Sequence, residues 1–331
     1  MNGPIPHGGD LTAARARFPG RSDWLDLSTG INPWPYPLPR LDAAAWTRLP
    51  DAGRTADTEQ AADAFYGAPP GSALAVPGTQ AALQLLPALR PPSRMAVVGF
   101  TYQEHARCWR RAGHAVTETP SLAEAVAAAD VVVAVNPNNP DGTGLDPSDL
   151  LRARAALAAR GGWLVVDEAF GETRPELGVA GACGAPGLIV LRSFGKFFGH
   201  AGIRLGFVLA DADTQAGLRD ALGPWAVSGP ALELGRIALA DRPWATGTRL
   251  RLRAAADRLA GLLSATGLRV VGGTPLFVLA ATEDAAGLHE RLMQHGIMVR
   301  RFDERPHWLR FGLPPDADAE QRLRACLAAY A

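Results

Sequence analysis

Short apolar runs alternate with longer amphipathic stretches through the middle of this chain. The runs cover residues 73–76, 95–98, 131–135, 163–166, 188–191 and 205–209. Between them, apolar positions recur at helical spacing over 81–89, 104–112, 122–128 and 150–160. Runs of four or five residues fit buried strands, and the longer stretches fit helices that cover them. Such alternation predicts βαβ units, hence an α/β fold with a mostly parallel sheet and helices on both faces. An Ala/Leu/Arg-rich stretch from 231 to 263, broken at Pro243, reads as connecting helices. Shorter runs at 276–281, 288–295, 297–301 and 308–313 and a closing helix over 319–330 suit a smaller α+β unit. The first fifty residues are rich in Pro and Gly and read as an irregular arm. The expected organisation is an arm over 1–45 that joins the small domain, a large domain over 46–230 and a small C-terminal domain over 231–331.

Length and charge narrow the classes. A chain of 331 residues is long enough for one large core and a second, smaller one. Its formal net charge is +0, which leaves no excess positive field for nucleic acid or an anionic membrane. No apolar run approaches the length of a membrane span. The three cysteines, Cys108, Cys183 and Cys326, are scattered and odd in number, giving neither a disulfide framework nor a metal-ligand spacing. The segment from Met1 to His7 lacks the features of an export signal, so a cytoplasmic enzyme without a metal is expected.

Ligands of open α/β sheets bind beyond the carboxyl ends of the strands, and the unusual polar residues fall there. Gly78, Thr79 and Gln80 open a helix after the first run, and Tyr102 follows the second. Asn139 stands in a Pro/Gly turn after the third, Asp167 ends the fourth, and Ser193 and Lys196 follow the fifth. Each has a plainer reading: a helix cap for Gly78–Gln80, a turn former for Asn139, packing for Tyr102. Asp167 is harder to dismiss, because a carboxylate closing an apolar strand is costly without a partner.

Lys196 changes the weight of the set. Lysine and arginine total 33, yet lysine occurs only at position 196. Arginine substitutes wherever a positive charge suffices, but only an amine can lose its proton and condense with a carbonyl. A Schiff-base lysine with an aspartate for a pyridinium nitrogen is what pyridoxal 5'-phosphate requires. Asn139 would then bond the ring hydroxyl and Tyr102 would stack on the ring. Gly78, Thr79 and Gln80 would hold the phosphate at a helix N-terminus, joined by Ser193 and Arg204.

The string Ser193-x-x-Lys196 followed by Arg204-x-Gly206, with Asn139-Pro140-x-Gly142 and Asp167-x-Ala169 upstream, resembles the fold-type I, class I/II aminotransferase superfamily. The likeness spans nearly the whole chain and implies that superfamily's fold: a mostly parallel sheet in a large, cofactor-binding domain and a smaller α+β domain. Within it, His7-Gly8-Gly9-Asp10, the stretch from Asp26 to Pro33, and Lys196-Phe197-Phe198 are similar to the threonine-phosphate decarboxylases of cobalamin biosynthesis. Histidinol-phosphate aminotransferases share most of the rest. Aminotransferases usually carry Tyr where this chain has Phe170, and the decarboxylases tend to carry Phe. His200 falls where relatives hold an apolar residue and reads as a packing position.

The resemblance implies decarboxylation of L-threonine O-3-phosphate to (R)-1-amino-2-propanol O-phosphate, with an aminotransferase as the alternative. Lys196 would serve as Schiff base and as the acid that reprotonates Cα. Arg310 matches the position that grips a substrate carboxylate, and Arg300 one that meets substrate anions, though a solvated strand edge would also explain Arg300. His7 and Asn32 are arm residues placed to close over the substrate. A non-catalytic regulator of the same fold would carry a basic extension that is not present before Gly71. A homodimer is implied, with Trp46, Tyr66 and the segment 40–54 as contributors to its interface.

Overall fold

The computed structural model describes residues 7–328. These form two compact units. One gathers the described chain up to Trp34, the short piece Pro140–Gly142 and the chain from Gly247 onward; the other holds Pro35–Asn139 and Thr143–Thr246. No helix among the described residues is long and apolar enough to cross a membrane.

The arm is more regular than its composition suggests. It contains a helix, Leu11–Arg17, capped by the Asp10 carboxylate, and a strand, β1 (Leu25–Leu27), which pairs in parallel with a strand near the C-terminus. Three residues are too few to show an alternating pattern, so only the pairing reveals this strand.

The large unit carries seven strands: β2 (Ala73–Val76), β3 (Arg94–Val98), β4 (Ala115–Thr119), β5 (Val131–Val135), β6 (Trp163–Asp167), β7 (Leu188–Arg192) and β8 (Gly206–Leu209). Their spatial order is β2-β8-β7-β6-β5-β3-β4. All neighbours run parallel except β8, which is antiparallel to both β2 and β7. Strands β2, β5 and β7 are buried along their whole length, as expected where helices cover both faces of a parallel sheet. The edge strand β4 was not legible, since its five residues are partly or wholly exposed.

The long helical stretch is two helices, Gly229–Ala240 and Arg242–Ala265, with Pro243 in the first turn of the second. A proline lacks the N–H that a first turn leaves unbonded anyway, so it starts the helix rather than breaking it. The small unit then adds β9 (Arg269–Thr274), β10 (Phe277–Ala281), β11 (Ile297–Arg301) and β12 (Trp308–Gly312). With β1 they form a five-stranded sheet in the order β1-β11-β12-β10-β9. The closing helix is Ala317–Ala328; its expected extension to Tyr330 lies outside the described residues.

Candidate active site

The antiparallel strand β8 begins where β2 and β7 end: Gly206 pairs with Val76, and Phe207 with Arg192. Arg204, two residues before Gly206, is thereby brought to Gly78, two residues after Val76. Gly78 has φ 76, and a Cβ there would stand 2.6 Å from Arg204 Nη2. Only glycine combines that left-handed backbone with so close an approach. Arg204 is itself left-handed (φ 57), and its Nη1 donates to the Ala201 carbonyl at 3.1 Å. No side chain caps the helix Thr79–Leu85, whereas the Asp51 and Asp211 carboxylates cap other helices of this unit. A guanidinium beside such a helix start makes a cradle for an anion.

Asp167 lies in register with Val135 on one side and Leu191 on the other, at the middle of the same rim. It is buried, and its carboxylate has two donors: His105 Nε2 to Oδ2 at 2.8 Å and the Ala169 N–H to Oδ1 at 3.0 Å. The Tyr102 hydroxyl donates to Gln80 Oε1 at 3.2 Å, and the His105 ring meets the Tyr102 ring edge-on at 6.0 Å. Burial, then the carboxylates of Glu104 and Asp167, push the Tyr102 phenol up, so it stays a donor. A continuous line therefore runs from Gln80 through Tyr102 and His105 to Asp167. His105 was not singled out in the sequence; the available signal was its position three residues after Tyr102, where a turn bonds the His105 N–H to the Tyr102 carbonyl at 3.3 Å.

Lys196 sits on the short helix Phe194–Phe197, begun by Ser193 directly after β7. Its Nζ lies 5.7 Å from the centroid of the Phe170 ring. Aromatic rings pack behind the helix: the buried Phe194 stacks on the buried Phe198 at 4.4 Å, and Phe198 on the half-buried Trp244 at 5.5 Å. Each fully buried ring contributes on the order of 1.5–3 kcal/mol, which fixes the backbone from which Lys196 projects. His200 Nε2 donates to the Tyr36 carbonyl at 2.7 Å, a packing role. Asn139 is half-buried at the end of a turn that its neighbours organise. Asn138 donates to the Phe100 carbonyl at 3.1 Å, and Asn136 bonds Leu145 and Leu177.

The small unit holds the other candidates. Arg310 and Arg300 are directly paired across β12 and β11. Arg310 is buried, donates to the Ser28 carbonyl at 2.9 Å and lies 4.9 Å from the Phe277 ring centroid. Burial first, then the Arg300 charge, push its guanidinium down to about 9. Like charges set opposite each other are unfavourable, and an anion between them removes the conflict. Ser28 also ties down the turn after His7, accepting the Gly9 N–H on its hydroxyl at 2.8 Å. His7 is exposed; Asn32 is buried and accepts the Trp34 N–H on its carboxamide oxygen at 2.9 Å.

Two residues considered for a contact between copies differ in placement. Trp46 is 68% exposed, whereas the Tyr66 hydroxyl is buried, with its ring 4.7 Å from the Arg192 guanidinium. Tyr66 as a whole is half-buried.

An amine, a partnered buried carboxylate, an aromatic ring and an anion cradle along one rim fit pyridoxal 5'-phosphate. The space at Gly78, which a Cβ would fill, is the specific point of agreement. The family model described as aminotransferase class I and II matches residues 23–328. A threonine-phosphate decarboxylase of Sinorhizobium sp. is 48% identical over 99% of this chain and 99% of its own length. One from Pseudomonas aeruginosa is 45% identical over 98% of each chain. Among solved structures, histidinol-phosphate aminotransferase from Sinorhizobium meliloti in complex with pyridoxal-5'-phosphate superposes with TM-score 0.84. It covers 100% of this chain and 96% of that one at 22% identity, a likeness of fold.

Proposed function

This chain belongs to the aminotransferase class I and II family, and we propose that within it the protein is a pyridoxal-phosphate-dependent carbon–carbon lyase. The reaction is decarboxylation of L-threonine O-3-phosphate to (R)-1-amino-2-propanol O-phosphate, a step of cobalamin biosynthesis. The observation that carries this reading is identity of 45–48% over essentially full length to two threonine-phosphate decarboxylases. Phe170 beside Lys196, in place of the tyrosine usual in aminotransferases, supports it.

Bound pyridoxal 5'-phosphate supplies an electron sink for the bond broken at the substrate Cα. The residues of this chain do the rest. Gly78, Thr79, Gln80, Ser193 and Arg204 hold the phosphate. Asp167, oriented by His105, would keep a proton on the ring nitrogen, Asn139 would bond the ring hydroxyl and Tyr102 would stack on the ring. Lys196 would anchor the cofactor aldehyde, and its amine would be the group to deliver a proton to the substrate Cα. Arg300 and Arg310 take the anionic groups of the substrate, and His7 and Asn32 border it. Holding the substrate phosphate orients the carboxylate as the group to leave, a use of remote binding energy for positioning.

The working form is a homodimer in the cytoplasm. Exposed Leu38, Trp46 and Leu49 on one segment support a covered face, and three unbridged cysteines suit a reducing compartment.

The test is carbon dioxide release from L-threonine O-3-phosphate by the cofactor-loaded protein. Release that vanishes in Lys196→Ala supports both the reaction and the role of the amine. Absence of release, with a yellow cofactor bleached by amino donors, moves the assignment to an aminotransferase.

A further inference from the structure

Behind the rim lies a group of charges that the chemistry above does not use. Glu168 directly follows Asp167 at the end of β6, and Arg192 directly precedes Ser193 at the end of β7. Neighbouring residues of an extended chain point to opposite faces. Each strand end thus offers one residue to the cofactor rim and the next to the far side. There Glu168 and Arg192 form an ion pair with side-chain exposures of 0% and 5%. The second Glu168 oxygen accepts the Val179 N–H at 2.8 Å, and the Glu168 N–H donates to the Leu191 carbonyl at 2.9 Å. Arg192 is also attracted to Glu172, buried in the turn after Phe170, and stands over the Tyr66 ring.

The fold makes room for this guanidinium. A Cβ at Gly171 would stand 2.5 Å from Arg192 Nη1, and one at Gly178 2.9 Å from Nη2. Two glycines thus leave room for an arginine that a fully buried carboxylate holds. Buried ion pairs are often no more stable than apolar replacements, so stability alone does not account for this one.

We infer that Arg192, clamped by Glu168, is a positioning residue: it sets the spacing between Asp167 on β6 and Ser193 and Lys196 beyond β7. The planar fork suits this task, because it bonds in one orientation where an ammonium does not. The inference rests on the pyridoxal phosphate reading and names the part that makes the site one unit rather than two strand ends.

The experiment uses full-length protein stripped of cofactor and then titrated with pyridoxal 5'-phosphate. Removing Arg192 alone leaves a buried carboxylate without its partner and risks unfolding. The main variant is therefore the double Arg192→Met/Glu168→Gln, with Arg192→Lys as the second. Three quantities are read: the cofactor dissociation constant, kcat and KM for L-threonine O-3-phosphate at saturating cofactor, and the thermal midpoint. The double variant is expected to remain folded, bind cofactor about tenfold or more weakly and lose kcat by a similar factor. Its KM should stay within about twofold, since Arg300 and Arg310 belong to the other unit. Arg192→Lys should fall between the two. A folded double variant with wild-type cofactor affinity and kcat overturns the inference. If the double does not fold, Arg192→Lys decides: wild-type affinity overturns it, and weakening of about threefold or more upholds it. A wild-type protein that takes up no cofactor would instead sink the functional reading on which the clamp rests.

Discussion

Replacing Arg310 with methionine should move stability and function in opposite directions. Its guanidinium is buried, faces Arg300 across the sheet and is pushed down to about 9. Relative to an ordinary arginine, that corresponds to about 5 kcal/mol of disfavour for the charged form without substrate. The hydrogen bond to the Ser28 carbonyl and the face of the Phe277 ring hold the guanidinium in place. Replacing a buried charge by an apolar side chain of similar volume is commonly neutral or stabilising by about 1–4 kcal/mol. Arg310→Met removes the charge while keeping most of the side-chain volume, so the thermal midpoint should rise by roughly 2–4 °C. The same change removes an anion grip, worth about 2–5 kcal/mol when a buried charge loses its partner. That lowers kcat/KM by about 30-fold to several thousandfold. Thermal unfolding and steady-state decarboxylation on one preparation give both numbers. A variant that is less stable than the wild type, or whose kcat/KM is unchanged, would refute the reasoning.

Three further changes probe other parts of the site. Burial raises the Glu172 carboxyl to about 7, so the folded state holds a proton that the unfolded chain releases near pH 4.5. That stability is present below the unfolded value and is lost as pH rises through about 7, up to about 3 kcal/mol. Unfolding midpoints between pH 5 and 9 should therefore fall more steeply for the wild type than for Glu172→Gln, and parallel curves would reject the assignment. Gly78→Ala places a Cβ against the Arg204 guanidinium on a left-handed backbone; equilibrium titration should show cofactor affinity down by about tenfold or more. Phe170→Tyr supplies the missing hydroxyl and should lower the pH at which the visible band of the bound cofactor titrates, and an identical titration would count against that role.

Much of the large unit was legible because its strands are short, continuous apolar runs and its special residues follow them directly. Lys196 stood out by rarity, and Asp167 by ending an apolar strand with a charge. Other features are set by pairing, which sequence periodicity does not record. The meeting of Arg204 with Gly78 depends on β8 running antiparallel between β2 and β7. The opposition of Arg300 and Arg310 depends on the register of β11 and β12. β1 is too short to show a period. His105 lay inside a helix that was expected, but nothing along the chain says which helical residue faces Asp167. Glu168 and Arg192 are ordinary charged neighbours in the sequence, and only their burial together reveals the pair.

The solitary lysine has a practical consequence for anyone handling this protein. Positive charge elsewhere is carried by arginine, so Lys196, half-buried on its aromatic bed, is the only side-chain amine available to an acylating or reductive-alkylating reagent. Labelling stoichiometry at side-chain amines then becomes a direct count of accessible active sites. Shielding of that one position by cofactor or substrate can be followed by mass without any assay of turnover. The same property makes coupling through surface lysines, to a resin or a dye, unworkable for this chain.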